Sequence, residues 1–77
     1  MRVLAEEVHM GVRVSIFHMN QKYIVKLEKG PFEQTYKLSE FDFSFADTQE
    51  VLSFVKMRIV DQSLDIFDQM IKLIDEI

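Results

Sequence analysis

The 77 residues predict an α+β fold: an antiparallel three- or four-stranded β-meander followed by a long C-terminal amphipathic helix, or a two-helix segment. Three observations carry that prediction. Residues 12 to 28, VRVSIFHMNQKYIVKLE, alternate on both sides of a polar centre, as a β-hairpin does. A Gly30-Pro31 turn signal then leads into another alternating run, FEQTYKL. From Thr48 to Ile77 there is neither Gly nor Pro, and apolar residues recur at helical spacing. A single domain is expected over 1–77, with the meander in 1–40, a connector in 41–46 and the helical part in 47–77.

The first element is the least marked. RVLAEEV followed by HMG is expected to form a strand over residues 2–8 that turns at Met10-Gly11, with a short N-terminal helix as the alternative. The hairpin is easier to register. A two-residue turn at Asn20-Gln21 sets Met19 against Lys22, Phe17 against Ile24, Ser15 against Lys26 and Arg13 against Glu28. Aromatic faces β-branched and cation faces anion, each pair contributing roughly 0.2–1 kcal/mol. The same register sets Ile16 against Val25 and Val14 against Leu27 on the other face, and a one-residue slip scrambles both sets. In the third alternating run Tyr36 and Leu38 fall in phase with Val25 and Tyr23 if Glu28 faces Glu33, an unfavourable like-charge pair. Phe41, Phe43 and Phe45 have the opposite parity to Tyr36 and Leu38. A turn at Ser39-Glu40 is expected to send these rings to the helix-side core; a continuing strand would place them beside Phe17 and Ile24.

The helix starts at Asp47. In DTQE a carboxylate cap stands three residues before Glu50, a capping-box pattern that satisfies free N–H groups of the first turn. Positions 60, 64, 67, 71 and 74 form a heptad-spaced stripe, widened by Ile66, Met70, Leu73 and Ile77. A continuous helix of about thirty residues would be ~45 Å long, against ~25 Å along a short-stranded sheet. Either the helix breaks near VDQS, with Asp61 or Ser63 capping a second one, or it overhangs and pairs with another chain. Both alternatives favour a homodimer through Leu64, Phe67, Ile71 and Ile74.

Composition narrows the function classes. No cysteine is present, so neither a disulfide nor a thiolate zinc site supports this small domain. Seven Phe and five Met are a large apolar load for one small core, which again points to oligomerisation; the methionines read as core filler. Glu6 and Glu7 interrupt the apolar start, and no apolar run exceeds three residues. A secretory signal and a membrane span are therefore not expected, and a soluble, cytoplasmic protein is. The net charge is −4, with the acids gathered in the helical half.

Catalytic, metal and cofactor sites are not expected. His9 and His18 have no ligand spacing around them; His18 is expected to be part-buried and hydrogen-bonded opposite Tyr23. Asp61, Asp65, Asp68 and Asp75 lie on one helical face without a calcium loop. The serines lack a nucleophile elbow, and the two glycines, 11 and 30, do not make a phosphate loop.

The remaining candidate is the second face of the sheet, where Arg13, Lys22, Lys26 and Lys37 surround a small apolar centre of Phe17, Ile24 and Met19. Basic residues interleaved with an aromatic on an open sheet suit single-stranded nucleic acid. Glu28 and Glu33 on the same face argue against it, and a protein contact is preferred. The order of four strands then a helix resembles, in topology alone, the repeat unit of PUR-type and Whirly-type single-strand binders; no residue motif is shared. The sequence thus predicts a small non-enzymatic homodimer acting as a protein-interaction module, with single-strand nucleic-acid binding through the sheet as the alternative.

Overall fold

The structure is a computed structural model that describes residues 1–76. Strands β1 (Arg2–His9), β2 (Val12–Met19), β3 (Lys22–Lys29) and β4 (Phe32–Ser39) form one antiparallel sheet in the order β1-β2-β3-β4. Helix α1 (Thr48–Phe54), a π-helical segment (Val55–Val60) and helix α2 (Asp61–Asp75) follow as one continuous helix of 28 residues. The α+β meander-then-helix architecture expected from the sequence is the one observed, with four strands. No helix among the described residues is long and apolar enough to cross a membrane.

Each hairpin closes over two residues. Met10 and Gly11 (φ 53° and 76°) and Asn20 and Gln21 (φ 51° and 62°) all have positive φ, as type I′ turns require to match strand twist. Asn tolerates that conformation, whereas a long side chain at Gln21 pays roughly 1–2 kcal/mol for it. Gln21→Gly is therefore expected to stabilise the domain by about 0.5–1 kcal/mol, raising the midpoint of thermal unfolding by a few degrees. A lowered midpoint would refute the turn assignment. At the third turn Gly30 carries the positive φ, 60°, and Pro31 follows it.

The β2–β3 register is Met19↔Lys22, Phe17↔Ile24, Ser15↔Lys26 and Arg13↔Glu28, and β3–β4 sets Glu28 against Glu33 and Val25 against Tyr36. These are the pairs that the charges and apolar residues imply. The like-charge pair is mitigated by Lys26, whose Nζ lies 3.9 Å from Glu28 Oε1 and 4.0 Å from Glu33 Oε2. In β1 the register shifts between Val3 and Ala5. That irregularity sends Val3 to the open face opposite Phe17, while Ala5 and Glu7 face the helix opposite Ile16 and Val14.

The core lies between the sheet and the helix. Val12, Val14, Ile16, Val25 and Leu27 from the sheet meet Val51, Val55, Val60 and Phe67 from the helix, and none has more than 1% of its surface exposed. Each such side chain stabilises the fold by about 1.5–3 kcal/mol, well above any single cross-strand pair. Burial against the helix therefore holds the sheet, and the pairs on the open face select its register.

The helix does not break near VDQS. Val60 and Asp61 are both αR, and Ser63 caps nothing: its hydroxyl donates to the Val60 carbonyl at 2.6 Å. The phase of the apolar stripe is instead corrected by the π segment. Val55 and Val60 are five residues apart, about 140° out of phase in a regular α-helix, yet both are fully buried. The wider i→i+5 turn absorbs one extra residue and brings them to one face. Beside it Gln34 Nε2 donates to the Ser63 carbonyl at 3.1 Å, and the Tyr36 hydroxyl donates to Gln34 Oε1. A buried polar residue of β4 thus anchors the helix.

The connector turns at Ser39: Asp42 and Phe43 donate backbone N–H bonds to the Ser39 carbonyl at 3.1 and 2.9 Å. Phe43 and Phe45 fold to the helix side as expected, packing with Phe54 at centroid distances of 5.7 and 5.3 Å. Phe45 also meets Tyr23 edge-on at 5.4 Å. Phe41 does not join them and is 83% exposed. At Asp47 the carboxylate accepts from the Glu50 N–H at 2.9 Å, and Glu50 Oε2 reaches back to the Ala46 N–H at 3.3 Å. The reading of methionine as core filler is corrected: Met1, Met10, Met19 and Met57 are exposed, and only Met70 packs against the core. Valines at close helix–sheet approach leave little space for long side chains. Ile77, counted in the apolar stripe, lies outside the described residues.

Candidate functional site

Two surfaces can meet a partner. The first is the open face of the sheet, which no other element covers. Its pairs line up in rows across the strands: Val3, Phe17, Ile24 and Lys37; then Glu6, Ser15, Lys26 and Thr35; then Val8, Arg13, Glu28 and Glu33. Successive rows are about 7 Å apart, two residues along a strand. The structure therefore brings Phe17, Ile24 and Lys37 into one row, sets Lys26 in the next and leaves Arg13 two rows away, roughly 14 Å along the sheet. Phe17 and Ile24 are half-buried by their neighbours, while Arg13 and Lys37 are exposed.

The electrostatics of this face are mixed. Lys26 is held between Glu28 and Glu33, and Arg13 stands opposite Glu28. Glu6 lies in the same row as Lys26. Every cation but Lys37 and Lys22 has a carboxylate in its row, so no continuous positive track runs across the strands. A phosphate backbone needs such a track.

The second surface is the outer part of α2. The helix meets β1 through α1 and β4 through α2, so it crosses the sheet diagonally and reaches β4 at Gln34. It then runs on through residues 64–75, about 18 Å of helix. The molecule measures 42 × 22 × 20 Å, with a radius of gyration of 13.1 Å against about 11–12 Å for a compact chain of this length. On this overhang Ile66, Leu73 and Ile74 are 40%, 63% and 54% exposed, and Leu64, Met70 and Ile71 are half-buried. Of the four residues expected at a dimer contact, Leu64, Ile71 and Ile74 present surface. Phe67 does not: it is wholly enclosed in the chain's own core. The π turn rotates α2 so that Phe67, rather than Leu64, points at the sheet.

Two side-chain contacts have partners that the sequence does not identify, although His18 is half-buried and hydrogen-bonded opposite Tyr23 as expected. Glu7 reaches Lys56 of the π segment, because the Met10-Gly11 turn sets Glu7 opposite Val14 on the helix side. His18 pairs through Nε2 with Glu40 Oε1, and its ring lies 5.2 Å from that of Tyr23. This pair sits at the mouth of a cavity of about 170 Å³ lined by Arg2, Leu4, Tyr23 and Phe45. A larger one, about 340 Å³, runs between β4 and the helix. Among the described residues no three His, Asp or Glu side chains converge as metal ligands would. The sequence signal for the helix anchor was present in Gln34, a polar residue in the apolar parity of β4.

No family model, curated protein or solved structure matches this chain.

Proposed function

We propose that the protein is a small, non-enzymatic, homodimeric interaction module. The observation that supports this most directly is the overhang of α2. Leu73 and Ile74 stand more than half exposed on a helix whose opposite face is acidic and polar. Leaving both so exposed forgoes roughly half of the 1.5–3 kcal/mol that full burial of each would give, and a second copy is the partner that the stripe on α2 suits best. The mixed charge of the open sheet face favours a protein contact there over nucleic acid.

Sedimentation at micromolar concentration tests the dimer. The expected mass is about twice the 9.1 kDa of one chain, and Ile74→Asp is expected to weaken association at least tenfold with an unchanged circular dichroism spectrum. A chain that stays monomeric throughout the micromolar range overturns the proposal.

A further inference from the structure

The seam of the dimer is assigned by the free edge of β4. This inference rests on the homodimer reading and says where the second copy sits. We propose that two copies join β4 to β4, antiparallel about a two-fold axis centred on Thr35, forming one continuous eight-stranded sheet.

The backbone supplies the first part of the case. β4 is a terminal strand of the sheet, and the Glu40 N–H bonds the Gln21 carbonyl at 3.0 Å. That bond sets the parity of the ladder: even-numbered residues of β4 turn their amide groups toward β3, and Glu33, Thr35 and Lys37 turn theirs outward. All three side chains are exposed. The opposite edge, β1, is interrupted at Val3/Ala5, a device that blunts edge pairing. β4 keeps an unbroken register over its eight residues.

The side chains supply the second part. About a two-fold at Thr35, Glu33 of one copy faces Lys37 of the other, twice, and Thr35 faces Thr35. The neighbouring symmetric registers fail. Centring on Glu33 pairs Glu33 with itself, and centring on Lys37 pairs two lysines; like charges directly opposite are unfavourable. The two registers between them match neither charge with its opposite. In the favoured register the three outward residues exchange about six backbone hydrogen bonds, and Pro31, lacking an N–H, ends the ladder opposite Ser39. On the helix side Phe32 meets Leu38 of the second copy and Gln34 meets Tyr36.

The apolar surface supplies the third. The groove of about 340 Å³ along this edge is lined by Tyr36, Leu38, Phe43, Phe54, Ile59 and Ile66. The two-fold brings the Gln34 end of each β4 beside the Leu38 end of the other. Each helix, leaving the sheet beside Gln34, then runs out toward the second copy's groove, which covers the overhang.

The test is a charge exchange read by sedimentation equilibrium. Lys37→Glu is expected to raise the dimer dissociation constant at least tenfold, since it sets carboxylate against carboxylate twice. The double variant Glu33→Lys/Lys37→Glu is expected to restore the wild-type constant, with thermal melts confirming that each variant folds. Dimerisation unaffected by Lys37→Glu overturns this seam and leaves the homodimer standing. Loss without restoration by the double exchange overturns the register. A wild-type chain that never dimerises overturns both readings.

Discussion

Phe67→Ala is expected to remove about 3–5 kcal/mol of stability, the cost of emptying a large, fully enclosed core position. Domains of this size have only about 5–15 kcal/mol in total, so urea unfolding of the variant should begin near zero denaturant. The loss should be the same at low and high protein concentration, because the ring packs within its own chain. A cost below about 1 kcal/mol, or one that vanishes on raising the concentration, would return Phe67 to the dimer contact. Ile74→Asp should show the opposite profile, with little change in a dilute sample and a large change in association.

Two single-residue deletions should differ sharply. Removing Met57, which is 72% exposed within the π segment, lets the wide turn relax to an α-turn. Val55 and Val60 then stay on one face, and the expected cost is about 1 kcal/mol or less. Removing Asp65 from the regular helix α2 rotates everything beyond it by about 100°. Phe67 is thereby carried off the sheet, and the expected cost approaches that of Phe67→Ala, roughly 3 kcal/mol or more. Equal losses from the two deletions, measured by chemical denaturation, would show that the π turn does not set the phase of the stripe.

These two cases show where the fold was legible from residues alone. The sheet was readable because its constraints are local and redundant: Arg13 against Glu28 and Phe17 against Ile24 set the same register as Val14 against Leu27. The capping box of Asp47 and Glu50 was readable for the same reason, being complete within four residues. The helix was harder. Heptad spacing from Val60 onward suggested that positions 64, 67, 71 and 74 act together, whereas the sheet takes Phe67 alone as a fully buried member. The clue lay upstream, in the five-residue step from Val55 to Val60 across Lys56, Met57, Arg58 and Ile59. A stripe that skips a residue marks a wider turn more readily than a break, because no Gly, Pro or capping serine interrupts the backbone there.

The β1 irregularity was not legible. VLAEEV offers no glycine to mark it, and only the rest of the sheet shows that Val3 belongs opposite Phe17. The Glu7–Lys56 pair was hidden for another reason: the Met10-Gly11 turn sets Glu7 on the helix side, but nothing in the sequence says which helical turn lies over it. The pair across Glu28 and Glu33 is a different case: the sequence shows the conflict, and the structure shows Lys26 reaching both carboxylates. On the candidate surfaces, the identity of the exposed residues was readable, but their division between an enclosed Phe67 and an open Leu73 and Ile74 depended on the π turn.

The three two-residue turns carry a further consequence, for the order in which the chain organises itself. Every strand pairs only with its neighbour in sequence, and the longest connection is the eight residues from Glu40 to Asp47. Closing such short loops sacrifices little chain entropy, since that cost grows only with the logarithm of loop length. The sheet can therefore zip from any of its hairpins without a distant contact having formed first. What it cannot do alone is hide its inner face, and the helix that hides it follows the sheet in the order of synthesis. A nascent chain of this protein holds a nearly complete ladder with Val14, Ile16, Val25 and Leu27 still uncovered. The interval before the helix docks is when its exposed apolar surface is greatest.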